Sequence, residues 1–165
     1  MKVKVLKRST RRGIIILQDT RETLPIMFSR DESIAAVRKI KLNFGDYQAL
    51  YPDGSRSSIV FERKSVADLW TTMTKGHERF MNELQRAVKA RAKLVLIIEA
   101  PFSSILIGFE RSKYPGTAMI KKLWTLSHVY GLPFVFCQNR HDMSSYITWS
   151  FISEHLHKER MKKGK

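Results

Sequence analysis

Residues 43–68, NFGDYQALYPDGSRSSIVFERKSVAD, contain two strand-like runs, 47–50 and 59–61, on either side of a Pro-Asp-Gly sequence. Proline presets the backbone for the first central position of a turn, and Asp-Gly tolerates the tight bend that follows. The pattern therefore predicts a β-hairpin. Folding the two runs about this turn brings Asp46 roughly opposite Glu62.

The end of this hairpin carries three charged side chains that converge. Side chains alternate between the two faces of a strand, so Glu62 and Lys64 point the same way and Arg63 points the other. Two carboxylates, from Asp46 and Glu62, suit a hard divalent cation, with Lys64 beside the water that the cation would activate. A solvated charge cluster at an exposed strand end is the alternative interpretation of the same residues.

A helix start follows directly, with Ser65 as N-cap and Asp68 at the third helical position. The order Gly45-Asp46-Tyr47, then Glu62-Arg63-Lys64-Ser65 and Asp68, resembles the signature of XPF-type DNA nucleases. The earlier Asp19-Thr20-Arg21-Glu22 resembles the upstream Asp-x-Arg-Glu element of that family. The resemblance extends from about residue 14 to about residue 136.

The resemblance implies an α/β fold with a restriction-endonuclease-like core, in which helices flank a mixed central sheet. It implies dependence on Mg2+ or Mn2+ and incision of branched or otherwise structured DNA. The residues that it assigns to metal binding are Asp46, Glu62 and Asp19. It assigns catalytic roles to the same three residues and to Arg63 and Lys64.

Four further residues are expected to support this site: Arg21, Glu22, Asp68 and Arg79. The family usually has Gly-Arg at the start of the second helix after the hairpin. Here the sequence is Gly76-His77, and the basic role is transferred to Arg79, two residues later. A helix start is a sensible phosphate contact in either case, because its first N–H groups are free.

The composition points to a polyanionic partner. The chain has 165 residues, the length of one domain, with a net charge of +15 and a pI near 10.2. DNA, RNA or an acidic membrane surface would each attract such a protein. A single cysteine, Cys137, excludes an internal disulfide, and no apolar run approaches the length of a membrane span. We therefore expect an intracellular protein of the cytoplasm, nucleoid or nucleus that does not bind membranes.

Positive charge is concentrated at the two ends. Residues 1–12 have six basic and no acidic side chains, and residues 158–165 have five basic and one acidic. We expect a basic N-terminal segment (1–12), a nuclease domain (13–157) and a basic C-terminal tail (158–165). The ends either contact phosphates or are only solvated.

The remaining elements are predicted from hydrophobic periodicity and turn residues. Residues 33–40 fit helix or strand, and strand is favoured because a further strand must pair with the hairpin. Residues 101–114 are irregular or briefly helical. The other predicted elements are strands at 14–17, 93–99 and 133–137 and helices at 65–73, 76–91, 117–130 and 142–157. In the second helix the expected core stripe is Phe80, Leu84, Ala87 and Val88.

Two other functions and one assembly state stay open. The chain could be a non-catalytic nucleic-acid-binding module of the same fold, or a nuclease acting on RNA or four-way junctions. The last two helices carry more aromatic residues than one core face needs, which suggests a homodimer. The alternative is that these aromatic residues fill a thick core.

Overall fold

The computed structural model describes residues 13–28 and 33–164; the basic segment 1–12 lies outside them. Six strands form one sheet in the order β2-β1-β3-β4-β5-β6. The strands are β1 (Ile14–Asp19), β2 (Ile34–Ile40), β3 (Tyr47–Leu50), β4 (Arg56–Lys64), β5 (Lys93–Glu99) and β6 (Phe134–Cys137). The helices are α1 (Val66–Thr74), α2 (His77–Lys89), α3 (Phe102–Ile107), α4 (Gly116–Tyr130) and α5 (Arg140–Lys163).

The sheet is mixed, which confirms the predicted α/β class. Strand β3 is antiparallel to both β1 and β4, whereas the β1–β2, β4–β5 and β5–β6 pairs are parallel. The predicted hairpin is β3–β4, closed by a hydrogen bond from Gly54 N to Tyr51 O of 2.9 Å. Strand β4 begins at Arg56, three residues before the predicted start.

Residues 34–40 form a strand, as favoured, but its partner differs from the expected one. Strand β2 lies at the sheet edge and pairs with β1, and β1 in turn pairs with the hairpin. The four-residue β3 is covered on both sides, by β1 and β4, so the hairpin has no free edge there for β2. Most residues of β2 are only partly buried or exposed, so the segment lacks the regular alternation of apolar and polar residues that marks a half-buried strand.

Hydrophobic side chains cover both faces of the sheet. In β5, Leu94, Leu96 and Ile98 face the helices α1, α2 and α4, while Val95 and Ile97 face α5. A strand that is apolar at successive positions is expected where both faces are buried. The continuous apolar run of residues 94–98 is therefore a strand buried on both faces, as predicted.

Three details of the helices differ from the sequence prediction. Val88 is 60% exposed, so the core stripe of α2 consists of Phe80, Leu84 and Ala87 alone. Helix α5 continues beyond residue 157 to Lys163, because Lys158 bonds to Glu154 and Lys162 to Asp53. Its start at Arg140 is two residues earlier than predicted. None of the helices in the described parts of the chain is long and apolar enough to span a bilayer.

Candidate active site

Asp46 is held by backbone contacts on both sides of the hairpin. Its N–H donates to Phe61 O at 2.7 Å, and its carbonyl accepts the Asp19 N–H at 2.8 Å. Its carboxylate Oδ2 accepts the Arg63 N–H at 2.8 Å. The side chain of Asp46 is thereby fixed at the end of β4, opposite Glu62, as the hairpin predicted.

Gly45 allows this close approach. It has φ +67°, and a Cβ at this position would lie 2.4 Å from Val60 Cγ1 and 3.1 Å from Phe61 O. Only glycine fits such a conformation next to a neighbouring strand. The Gly45 N–H donates to Glu83 Oε1 of α2 at 2.8 Å, so a third element also fixes the Asp46 loop.

Glu62 and Lys64 lie on the same face of β4, as alternation predicted. Lys64 Nζ and Glu62 Oε1 are 2.6 Å apart, and both side chains are largely buried. Burial disfavours the ammonium, but the Glu62 carboxylate outweighs it and raises the pKa of Lys64 above its ordinary value. Lys64 is therefore a cation at neutral pH.

The two acids carry more negative charge than their surroundings stabilise. Burial, followed by repulsion from Glu62, raises the pKa of Asp46 to about 8. Burial also raises the pKa of Glu62; Lys64 opposes this shift, and Glu83 adds to it by repulsion. One ammonium thus lies beside two acids that are at least partly buried, an arrangement that a divalent cation would stabilise.

The donor set fits a hard cation in its chemistry but is small. Mg2+ prefers oxygen ligands, keeps several waters and is usually bound by one or two carboxylates, which Asp46 and Glu62 can supply. Within residues 13–28 and 33–164, no group of three or more acidic, histidine or cysteine side chains is arranged to hold a metal ion. A cation at this site would therefore complete its coordination with water or substrate oxygens.

Arg63 points away from Glu62 into a buried ion-pair network. Its guanidinium lies 2.6 Å from Glu99 Oε2 and 3.6 Å from Glu22 Oε2. Glu99 also accepts a hydrogen bond from Arg140 Nε at 2.9 Å. Arg63 therefore joins the upstream loop, β5 and the start of α5 behind the pair of acids.

Most of the chain matches a known protein family. The profile of the ERCC4 domain matches residues 18–148, most of the chain. The chain belongs to the ERCC4-domain family. This finding confirms the resemblance to XPF-type nucleases, because the match spans all three quoted motifs.

Solved structures agree with this ERCC4 domain in fold. XPF from Aeropyrum pernix matches with a TM-score of 0.61 at 17% identity, over 89% of this chain and 69% of that chain. XPF from Aeropyrum pernix in complex with DNA matches with a TM-score of 0.61 at 18% identity, over 88% of this chain and 66% of that one. The chain thus spans about two thirds of their length. A comparison with curated proteins gave no significant match.

In this ERCC4 domain, hydrogen-bond donors occupy both carboxylate oxygens of Asp19, which the resemblance assigned to metal binding. Oδ1 accepts the backbone N–H and Nε of Arg21, and Oδ2 accepts Nη2 of Arg21 and the Leu42 N–H, all within 3.0 Å. Four donors saturate a carboxylate. Asp19 therefore orders the loop beside Asp46 through its side chain, and its own N–H contacts Asp46.

The supporting residues divide into three groups. Arg21 forms an ion pair with Asp19, and Glu22 forms one with Arg63, so both lie close to the site. Asp68 belongs to the N-terminal cap of α1: Ser65 Oγ, the N-cap group, accepts the Asp68 N–H and donates to its carboxylate. Arg79 is exposed at the start of α2 and has no ion pair within the described part of the chain.

Two acids in this ERCC4 domain were not assigned to the site from the sequence. Glu83 lies on α2 and Glu99 ends β5, and neither belongs to the motifs quoted above. A signal for Glu83 was present: it follows Phe80 by three residues and so lies beside the apolar face of α2. Glu99 carried no such signal, since its two partners, Arg63 and Arg140, come from distant parts of the chain.

Proposed function

We propose that this ERCC4 domain is a metal-dependent endonuclease that hydrolyses phosphodiester bonds in branched or otherwise structured DNA. The observation that carries the proposal is the pair of acids, buried Glu62 and partly buried Asp46, fixed beside the partly buried ammonium of Lys64. Membership of the ERCC4-domain family supports the same chemistry.

Asp46 and Glu62 would hold Mg2+ or Mn2+, which supplies Lewis acidity and positive charge toward a phosphate oxygen. The chain's own residues would orient the cation, the attacking water and the phosphate. Lys64, 2.6 Å from Glu62, would orient or deprotonate the attacking water or, as an ammonium, stabilise charge on the phosphate. Arg63 and Asp19 are proposed as positioning residues, because both are occupied by neighbouring charged groups.

DNA as the substrate is supported by two observations. The net charge of +15 favours a polyanion. A structural neighbour, XPF from Aeropyrum pernix, has been solved in complex with DNA. DNA as a substrate also fits the intracellular location expected from the sequence.

A purely binding module of the same fold is the main alternative. A module that only binds would not need two acids facing a phosphate, since an ionised carboxylate repels the backbone of the nucleic acid. The presence of both acids beside Lys64 therefore favours hydrolysis over binding alone.

Cleavage assays test the proposal. Labelled duplex, fork, flap, four-way and single-stranded DNA, together with RNA, are incubated with Mg2+, Mn2+ or EDTA. We expect metal-dependent cleavage, which Asp46→Ala or Glu62→Ala reduces by at least about a hundredfold while metal-free DNA binding persists. Glu110→Gln, an exposed acid far along the chain, is the control variant. Wild-type cleavage by either site variant, or no cleavage of any substrate, refutes the proposal.

We also propose a homodimer that uses the exposed aromatic side chains of α5. Trp149 is 65% exposed and Tyr146 43%, and both border a shallow apolar surface with Ile59. Phe151, by contrast, is fully buried and belongs to the core. Light scattering at micromolar concentration tests this assembly. A monomeric mass that DNA does not change would contradict it.

A further inference from the structure

Glu83 links α2 to the loop that carries Asp46. Its Oε1 accepts the Gly45 N–H at 2.8 Å, and the next residue along the loop is Asp46 itself. One turn later, Arg86 Nε donates to Asn43 O at 3.3 Å. Helix α2 therefore holds both ends of the three-residue segment 43–45, and Glu83 makes the contact next to the acid.

The charge of Glu83 is not neutralised by a direct partner. Across residues 13–28 and 33–164 it forms no ion pair, although Lys64 and Arg21 are close enough to interact with it electrostatically. Glu83 also repels Glu62. The carboxylate is partly buried, so solvent screens it less than it would a surface acid.

We propose that Glu83 is a positioning residue of the active site. One oxygen fixes the Gly45 amide that precedes Asp46, and the negative charge strengthens binding of a divalent cation at Asp46 and Glu62. The proposal rests on the metal site proposed above. It gives α2 a role at this site through Glu83, a residue outside the sequence motifs. Groups that support metal ligands from outside typically change metal affinity when they are replaced.

Two substitutions separate the hydrogen bond from the charge. Glu83→Gln keeps an acceptor oxygen for the Gly45 N–H but removes the charge, whereas Glu83→Ala removes both. Glu78→Gln is the matched control, because Glu78 is an exposed acid on the same helix. Circular dichroism confirms that each variant is folded before it is used.

Two measurements without DNA test the proposal. Calorimetric titration with Mn2+ should show about tenfold weaker binding by Glu83→Gln and Glu83→Ala, and wild-type binding by Glu78→Gln. Amide hydrogen exchange should show a protected Gly45 N–H in the wild type and Glu83→Gln, and a rapidly exchanging one in Glu83→Ala.

The outcomes that overturn the proposal differ from those that overturn the proposed function. Wild-type Mn2+ affinity in Glu83→Gln, or wild-type protection of Gly45 in Glu83→Ala, refutes the role of Glu83 and leaves the nuclease intact. A wild-type protein that binds no Mn2+ refutes the metal site and, with it, the contribution of Glu83 to cation binding.

Discussion

The guanidinium of Arg63 and the carboxylate of Glu99 lie 2.6 Å apart, and the same carboxylate binds Arg140 at its other oxygen. The Arg63 side chain is only 5% exposed, whereas that of Arg140 is 41% exposed. Removing the partner of a buried charge is costly, but removing an exposed partner is not. We therefore expect substitution of Glu99 to lower the stability of the protein more than substitution of Arg140.

We expect Glu99→Ala to lower the free energy of unfolding by about 3 kcal/mol, because Arg63 would keep only Glu22 at 3.6 Å. Arg140→Ala should lower it by less than about 1 kcal/mol. Urea denaturation at pH 7 measures both values. Equal losses would show that burial of Arg63 does not control the network.

Gly45 and Gly54 both have positive φ but differ in the space around them, which tests whether the close approach at Gly45 matters. Gly45→Ala introduces backbone strain and a clash with Val60, so we expect a loss of about 3 kcal/mol in stability and loss of Mn2+ binding. Gly54 has φ +82° but open space around its Cβ position, so Gly54→Ala should cost only about 1 kcal/mol. Similar losses in the two variants would mean that the close approach at Gly45 is unimportant.

The sequence predicted those parts of the site that lie close together along the chain. The turn residues and strand alternation placed Asp46 opposite Glu62 and put Lys64 beside it, and the structure has the same arrangement. Both features follow from local rules, turn chemistry and the period of a strand. Helix capping by Ser65 is equally local and was also predicted.

The unpredicted parts depend on contacts between distant segments. The motif resemblance placed Asp19 at the site. It did not predict that the Asp19 carboxylate accepts hydrogen bonds from Arg21 and from the N–H of Leu42, 23 residues away. Glu83 contacts Gly45 across 38 residues. No pattern within one element specifies such a partner, so an acid at a strand end or on a helix could not be assigned from spacing alone.

The raised pKa of Asp46 makes the metal-free protein less stable at high pH. Its pKa is about 8 in the folded state and 3.8 ordinarily, so the folded state binds more protons between these values. Stability must then fall as pH rises from about 4 to about 8. Asp46→Asn removes this effect and should stabilise the protein by roughly 2 kcal/mol at pH 8 in EDTA, with little effect near pH 4.

Denaturation across this pH range checks the expectation, and Mn2+ provides the control. Added Mn2+ should raise the Tm of the wild type by mass action, but not that of Asp46→Asn. A wild type that is as stable at pH 8 as Asp46→Asn in EDTA would contradict the proposed charge repulsion.

Glu154 should show the opposite pH dependence. Burial opposes its charge, but Lys158, Ser57 and Ser58 outweigh burial and lower its pKa to about 2. The carboxylate also accepts a hydrogen bond from Tyr51, so it ties α5 to the hairpin. This stabilisation is present above the ordinary pKa of 4.5 and disappears as pH falls toward 2.

We therefore expect Glu154→Gln to lower the free energy of unfolding by about 2 kcal/mol at pH 7 and by little at pH 2. Guanidinium denaturation at both pH values measures the difference. Glu159→Gln is the control, because Glu159 is a partly exposed acid on the same helix, and it should have a small effect at both. A loss that is the same at pH 2 and pH 7 would show that the charge of Glu154 is not responsible.

The basic end of α5 predicts how DNA binding depends on salt. Lys158 and Lys162 are paired with Glu154 and Asp53, whereas Arg160 and Lys163 are exposed and have no ion pair among the residues that the structure describes. Each phosphate contact contributes about 0.9 to the slope of log K against log salt on duplex DNA. Replacing Arg160 and Lys163 together by alanine should therefore flatten the slope by up to about 1.8.

Lys162→Ala is the matched control, because its ammonium is already bound to Asp53 and should contribute less than one full contact. Deleting residues 1–12, which carry six basic side chains, measures the other end in the same way. Fluorescence anisotropy in EDTA at several salt concentrations gives each slope without cleavage. If the slope is unchanged after both the double substitution and the deletion, the two ends are solvated and the phosphate contacts lie on the body of the domain.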